Sequence, residues 1–213
     1  SISIRSLLLG SQAYGKTFIE NILLSEDIIS SINCLKKLGI KIFLKKKNCY
    51  IYGKGLNGFE YKKNIVLNAG NSGTFARLIL GLLVKSPYYI KLIGDKSLSR
   101  RDFERVISPL QKVGVNFKVN NKKTLPLKMI GSPFVNPINY YENRGSAQCK
   151  STVMLAALNL PGQTVIKAKK SRDHTENIFK YLGIPIIIKK NKNNDEIKVR
   201  GQKLFKSFKY KVP

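Results

Sequence analysis

Three stretches of this chain follow one pattern, and that repetition limits its fold more than any other feature. They cover 5–42, 74–117 and 151–186, a period of roughly 70–75 residues. Each opens with an apolar segment rich in Leu and small residues. A turn, a short β-branched strand, a polar turn holding an Asp and a second helix follow. The second helices close on Leu38-Gly39, Val113-Gly114 and Leu182-Gly183, and another strand comes after. Ile32, Leu35 and Leu38 match Ile107, Leu110 and Val113 at i, i+3, i+6, which is one apolar stripe on an amphipathic helix. The closing Gly is predicted to take the left-handed conformation that ends a helix.

The opening segments differ from the second helices. Residues 75–84 and 153–158 are apolar on nearly every face, which predicts helices buried on all sides. Strands are predicted at 17–23, 40–44, 49–52, 89–93, 115–119, 127–130, 164–167, 184–188 and 197–199. The unit is therefore helix–strand–helix–strand–strand, used three times. Buried helices with strands on many sides predict helices inside and sheets outside. Nothing resembles an interdomain linker, so residues 1–213 are expected to form one α/β domain with internal pseudo-threefold symmetry.

The chain carries 39 Lys+Arg against 12 Asp+Glu, a net charge of +27. That excludes an acidic protein and admits two readings. One is an anionic partner, nucleic acid or phosphate. The other is the joint abundance of Lys, Asn and Ile found in chains from AT-rich genomes. The runs 45–48 and 189–194 read as solvated turn tips, and no nucleic-acid motif accompanies the charge, so no nucleic-acid partner is expected. No apolar run is long enough to span a bilayer, so no membrane partner is expected either. Cys34, Cys49 and Cys149 are odd in number, without metal-ligand spacing, and read as reduced apolar residues of a cytoplasmic protein. His174 is the only histidine. No metal and no cofactor are expected. The chain starts at Ser1 without a signal-peptide pattern, and a fragment or a processed product is expected.

Chemistry concentrates at helix starts. Before each buried helix lies a cluster of small polar residues: 1–5, 71–77 and 146–151. Simple N-capping accounts for the Ser, Thr and Asn. It does not account for Arg5, Arg77 and Lys150, because cations there oppose the helix dipole. A bound anion would reverse that sign, and three such ends could gather around one shared site. Two further clusters, 94–101 and 171–176, precede second helices. Arg101 and Arg172 offer guanidinium forks suited to carboxylate or phosphate. Asp173 or Thr175 is expected to cap, Glu176 to complete a capping box, and His174 to be a buried, satisfied polar residue.

Four motifs occur in order: Asn71-Ser72-Gly73-Thr74-x-x-Arg77, Gly94-Asp95-x-Ser97-Leu98-x-x-Arg101, Ser146-Ala147-Gln148-x-Lys150-Ser151 and Ser171-Arg172-Asp173-His174-Thr175-Glu176. Together they resemble the 5-enolpyruvylshikimate-3-phosphate synthases (3-phosphoshikimate 1-carboxyvinyltransferases), in particular the second, bacterial class that includes glyphosate-tolerant members. The sister family acting on UDP-N-acetylglucosamine shares the fold but differs at these motifs.

The resemblance implies an inside-out α/β barrel domain of three βαβαββ units, one of two domains in the family. It implies that Ser1 follows the position of a family Lys, and that Val212-Pro213 precede the return to the other domain. The other domain, which carries the acid–base groups, is then absent, so no catalytic residue is expected in this chain. Ser1, Arg5, Ser146, Gln148, Ser171 and Arg172 resemble the residues that hold shikimate 3-phosphate. Ala147 stands where the other class uses a Ser. Gly73, Arg101 and Gln148 resemble the contacts to phosphoenolpyruvate and to glyphosate, an inhibitor. Asn71 and Thr74 resemble residues that shape that loop. The implied reaction transfers an enolpyruvyl group from phosphoenolpyruvate to the 5-hydroxyl of shikimate 3-phosphate and releases phosphate, within a monomer. A free-standing phosphate- or RNA-binding module that kept the fold is the competing reading.

Overall fold

The second unit shows most plainly why these residues fold as they do. A computed structural model describes residues 2–213. In that unit β4 (Ile65–Asn68) leads into α3 (Gly73–Leu82), then β5 (Ile90–Ile93), a 3-10 turn (Leu98–Arg100), α4 (Glu104–Val113), β6 (Asn116–Lys118) and β7 (Leu127–Ile130). The third unit repeats the order with β8 (Asn139–Glu142), α5 (Ala147–Ala157), β9 (Gln163–Lys169), α6 (His174–Tyr181), β10 (Ile186–Lys190) and β11 (Asn194–Arg200). The first has α1 (Ile2–Gln12), β1 (Tyr14–Glu20), α2 (Glu26–Lys37), β2 (Lys41–Lys45) and β3 (Asn48–Lys54). Its missing leading strand is β12 (Lys209–Lys211), supplied from the far end of the chain.

Each unit thus contributes one four-stranded mixed sheet, and all three share one topology. The leading strand pairs in parallel with the second, the second antiparallel with the fourth, and the fourth antiparallel with the third. β12 closes the first sheet in the register Phe18↔Lys209, and Asn21 Nδ2 donates to the Val212 carbonyl at 3.1 Å beside it.

The helix assignments follow the sequence patterns. Every α3 residue except Thr74 and Arg77 is buried, as expected for a helix apolar all round. Leu7, Leu8 and Leu9 of α1 are fully buried at adjacent positions, and each contributes about 1.5–3 kcal/mol by its removal from water. In α2 and α4 the predicted stripes, Ile32 with Leu35 and Ile107 with Leu110 and Val113, face the core. Gly39, Gly114 and Gly183 have φ of 85°, 119° and 67°, so the helices end as predicted. α3 crosses α5 closely enough that a Cβ on Gly81 would lie 2.3 Å from the Thr152 carbonyl oxygen. Only glycine permits that approach.

Three strands escape the sequence patterns: β4, β8 and β12, the leading strand of each sheet. They are three or four residues long, and Asn139–Glu142 (NYYE) and Lys209–Lys211 (KYK) present no apolar alternation. A parallel partner at a sheet edge holds them, which no local pattern reports. The strand predicted over 17–23 instead spans 14–20, because Asn21 turns into the left-handed region at φ 56°. Leu23 and Leu24 are left outside it, about half exposed. No described helix is long and apolar enough to cross a membrane.

Candidate functional site

Helix starts place the candidate residues. Ser72 caps α3 by accepting from the Phe75 N–H at 3.3 Å, and Ser146 caps α5 by accepting from the Cys149 N–H at 3.2 Å. A buried carboxylate fixes the loop before α5: Glu142 accepts from the N–H of Ser146 at 2.8 Å and of Arg144 at 3.2 Å, with Arg105 3.6 Å away.

The residues resembling phosphoenolpyruvate contacts come together at the starts of α3 and α5. Arg77 Nη1 donates to Gln148 Oε1 at 2.9 Å, and Gln148 Nε2 donates to Thr74 Oγ1 at 3.1 Å. Arg77 Nη2 donates to the Asp102 carbonyl at 3.0 Å, and its guanidinium lies 4.9 Å from the Phe103 ring centroid. Burial holds the Arg77 pKa below the usual arginine value, and the nearby Arg101 and Arg105 charges add to that. Arg101 Nη2 reaches Asn71 Oδ1 at 3.2 Å. Gly73 sits beneath both guanidinium groups: a Cβ there would lie 2.8 Å from Arg101 Nη1 and 3.1 Å from Arg77 Nη1. Two arginines therefore converge over a residue with no side chain, in a surround able to hold a small anion.

A second cluster joins α1, α5 and α6. Arg5, almost fully buried, donates from Nε to Thr175 Oγ1 at 2.7 Å and from Nη2 to Ser151 Oγ at 3.1 Å. Ser151 and Thr175 bond each other at 2.7 Å. Burial lowers the Arg5 pKa to about 10, against the attraction of Glu176 and with the repulsion of Arg172. Lys150 Nζ pairs with Glu176 Oε1 at 2.5 Å. Arg172 is exposed, and with His174 it lines an open cleft of about 640 Å³ that also includes Ser3, Leu23 and Val212. Ser171 is half-buried, and its Oγ is enclosed without a hydrogen-bond partner. Ser1 lies outside the described residues.

The structure corrects the expectations for Lys150, Glu176, Asp173 and His174. Lys150 does not stand open for an anion at the start of α5, because Glu176 occupies it. Glu176 for the same reason forms no capping box, and Asp173, the N-cap of α6, makes no side-chain cap bond. His174 is half-buried rather than buried. The basic helix starts form two clusters that share the start of α5, Arg77 with Gln148 in one and Arg5 with Ser151 in the other. Sequence reasoning also missed Glu142 and the hold of Arg77 on Gln148. A carboxylate four residues before Ser146, ahead of a helix with no acidic first turn, was the available signal for Glu142.

Comparison with known proteins agrees with this arrangement. The family model described as EPSP synthase (3-phosphoshikimate 1-carboxyvinyltransferase) matches residues 1–213. A curated 3-phosphoshikimate 1-carboxyvinyltransferase of Ruthia magnifica is 46% identical over 193 residues, covering 90% of this chain and 44% of that protein. The Syntrophomonas wolfei protein of that name is 37% identical and covers 100% of this chain and 49% of its own length. Among solved structures, EPSP synthase from Acinetobacter baumannii superposes with a TM-score of 0.91 at 31% identity, over 100% of this chain and 47% of that one. The chain spans about half the length of the curated relatives it matches. With its four motifs, its three like sheets and a family match along residues 1–213, the chain belongs to the EPSP synthase family.

Proposed function

We propose that this chain is one substrate-binding domain of a two-domain 3-phosphoshikimate 1-carboxyvinyltransferase, an inside-out barrel with pseudo-threefold symmetry, its helices inside and its sheets outside. The domain binds shikimate 3-phosphate along the starts of α1, α5 and α6, and phosphoenolpyruvate at the start of α3, where glyphosate competes. It works in the cytoplasm, as half of a monomer, in the shikimate pathway. Free, buried Cys34, Cys49 and Cys149 suit a reducing compartment.

The observation that carries this reading is the convergence of Arg77, Arg101 and Gln148 around Gly73. Phosphoenolpyruvate brings a phosphate and a carboxylate, and the transfer expels the phosphate with its charge. Fixed guanidinium forks and amide dipoles stabilise such charge without reorganising. Gln148, held at both ends of its amide, orients what binds between the two clusters. The contribution of this domain is therefore anion clamping and alignment, and the proton transfers fall to the other domain.

The experiment is a phosphate-release assay with both substrates. The 213-residue chain alone is expected to give no turnover. The same chain grafted in place of the matching half of the Ruthia magnifica relative is expected to restore it. Turnover by the chain alone contradicts the reading, as does a folded graft without activity.

A further inference from the structure

Lys150 and Glu176 form the most enclosed ion pair among the described residues, with side chains 2% and 3% exposed. Their burial is costly in a particular way. Lys150 is the fourth residue of α5, where a cation opposes the helix dipole. Glu176 is the third residue of α6, where an anion is favoured. Removing both charges from water takes back most of their attraction, and two apolar side chains of similar size commonly give equal or greater stability. Glu176 Oε2 accepts no hydrogen bond at all, so the carboxylate is only partly compensated. Stability does not account for the pair.

Its position does. Two consecutive residues of α5, Lys150 and Ser151, meet two consecutive residues of α6, Glu176 and Thr175. Arg5 bonds both hydroxyls from α1. Turning α6 by one residue, about 100° about its axis, would lose the ion pair and the hydroxyl bond together. The first turn of α5 carries Gln148 just after Ser146, and Ser171 and Arg172 stand just before α6. We propose that Lys150–Glu176 is a positioning pair. It sets the register and separation of the starts of α5 and α6, and so holds Ser146 and Gln148 at a fixed distance from Ser171 and Arg172. The consequence for ligand rests on the reading of those four residues as shikimate 3-phosphate contacts.

The test is Lys150→Met/Glu176→Met, read in the full 213-residue chain by thermal unfolding, amide hydrogen exchange and calorimetric titration with shikimate 3-phosphate. The expected result is an unfolding midpoint close to that of the unaltered chain. Exchange should rise by about tenfold in both 147–151 and 174–177 and stay unchanged at 73–77. Affinity should fall by about tenfold. Unchanged exchange at both helix starts overturns the proposal. So does a rise shared by the whole core with a fallen midpoint, since the pair would then serve stability alone. If the double variant does not fold, Glu176→Gln replaces it: the shape and an acceptor for Lys150 remain, and a smaller rise at both starts is expected. A rise confined to α6 contradicts the proposal. If the unaltered chain does not bind shikimate 3-phosphate, the ligand reading fails, and the exchange result alone decides on the pair.

Discussion

Arg77 Nη1 donates to Gln148 Oε1 at 2.9 Å and so ties the start of α3 to the start of α5. The two residues lie 71 positions apart, in different repeats. One guanidinium spans Gln148, the Asp102 carbonyl and the Phe103 ring, which orients the amide between the two clusters.

Replacement of this arginine separates its charge from its geometry. Arg77→Lys keeps the cation, but a single ammonium cannot make those three contacts together. In a two-domain protein carrying this domain, the Michaelis constant for phosphoenolpyruvate should rise by about tenfold, or about 1.4 kcal/mol. The unfolding midpoint should move little. An unchanged Michaelis constant would show that Gln148 is oriented without Arg77.

Gly73→Ala tests the space beneath the two arginines. The added methyl meets the ends of flexible side chains, Arg101 Nη1 at 2.8 Å and Arg77 Nη1 at 3.1 Å, and Gly73 is a helical residue. The fold should therefore tolerate the change, and the guanidinium groups should give way. Glyphosate is longer than phosphoenolpyruvate and depends more on the space between them. In the two-domain protein its inhibition constant should rise more than the Michaelis constant for phosphoenolpyruvate. Equal rises would show that Gly73 does not discriminate between them.

Gly81→Ala should behave in the opposite way. Its methyl would meet backbone, the Thr152 carbonyl oxygen at 2.3 Å, which cannot swing aside. α3 and α5 must separate, at a cost of roughly 1–3 kcal/mol or more. Denaturant unfolding should show the loss, and an unchanged midpoint would mean that the helices do not cross this closely.

The single histidine reports on charge near the second cluster. Burial, Arg5 and Arg172 hold the His174 pKa below the ordinary value, against Asp173. The folded chain then binds fewer protons than the unfolded chain, so the contribution of His174 to stability is full above the ordinary value. It is lost as pH falls below that value. A phosphate bound beside Arg172 should raise the pKa, because an anion favours the imidazolium. An NMR titration of the His174 ring with and without shikimate 3-phosphate should show that upward move. A downward move or none would place the phosphate elsewhere.

Much of this architecture was legible in the sequence because helices carry their own period. The stripe of Ile107, Leu110 and Val113 and the all-apolar run of α3 mark amphipathic and buried helices without reference to anything distant. Edge strands such as Lys209–Lys211 have no such mark, since their order comes from a partner nearly 200 residues away. At the site, the motifs led to Gly73, Arg101 and Gln148. The pairing of Lys150 with Glu176 was hidden, because a motif gives order along the chain and not which of its charges face each other. Lys150, read with Arg5 and Arg77 as a cation for a shared anion site, is taken up by Glu176 for that reason.

Calorimetric titration of the 213-residue chain with shikimate 3-phosphate, and with shikimate beside it, tests the account most directly. Binding should require the 3-phosphate and be weaker than in a two-domain protein, because half a cleft leaves the anion partly solvated. Arg172→Ala should weaken it further, by roughly 1.5–3 kcal/mol for a charge-assisted contact. Equal binding of shikimate, or identical binding by the Arg172→Ala variant, would contradict it.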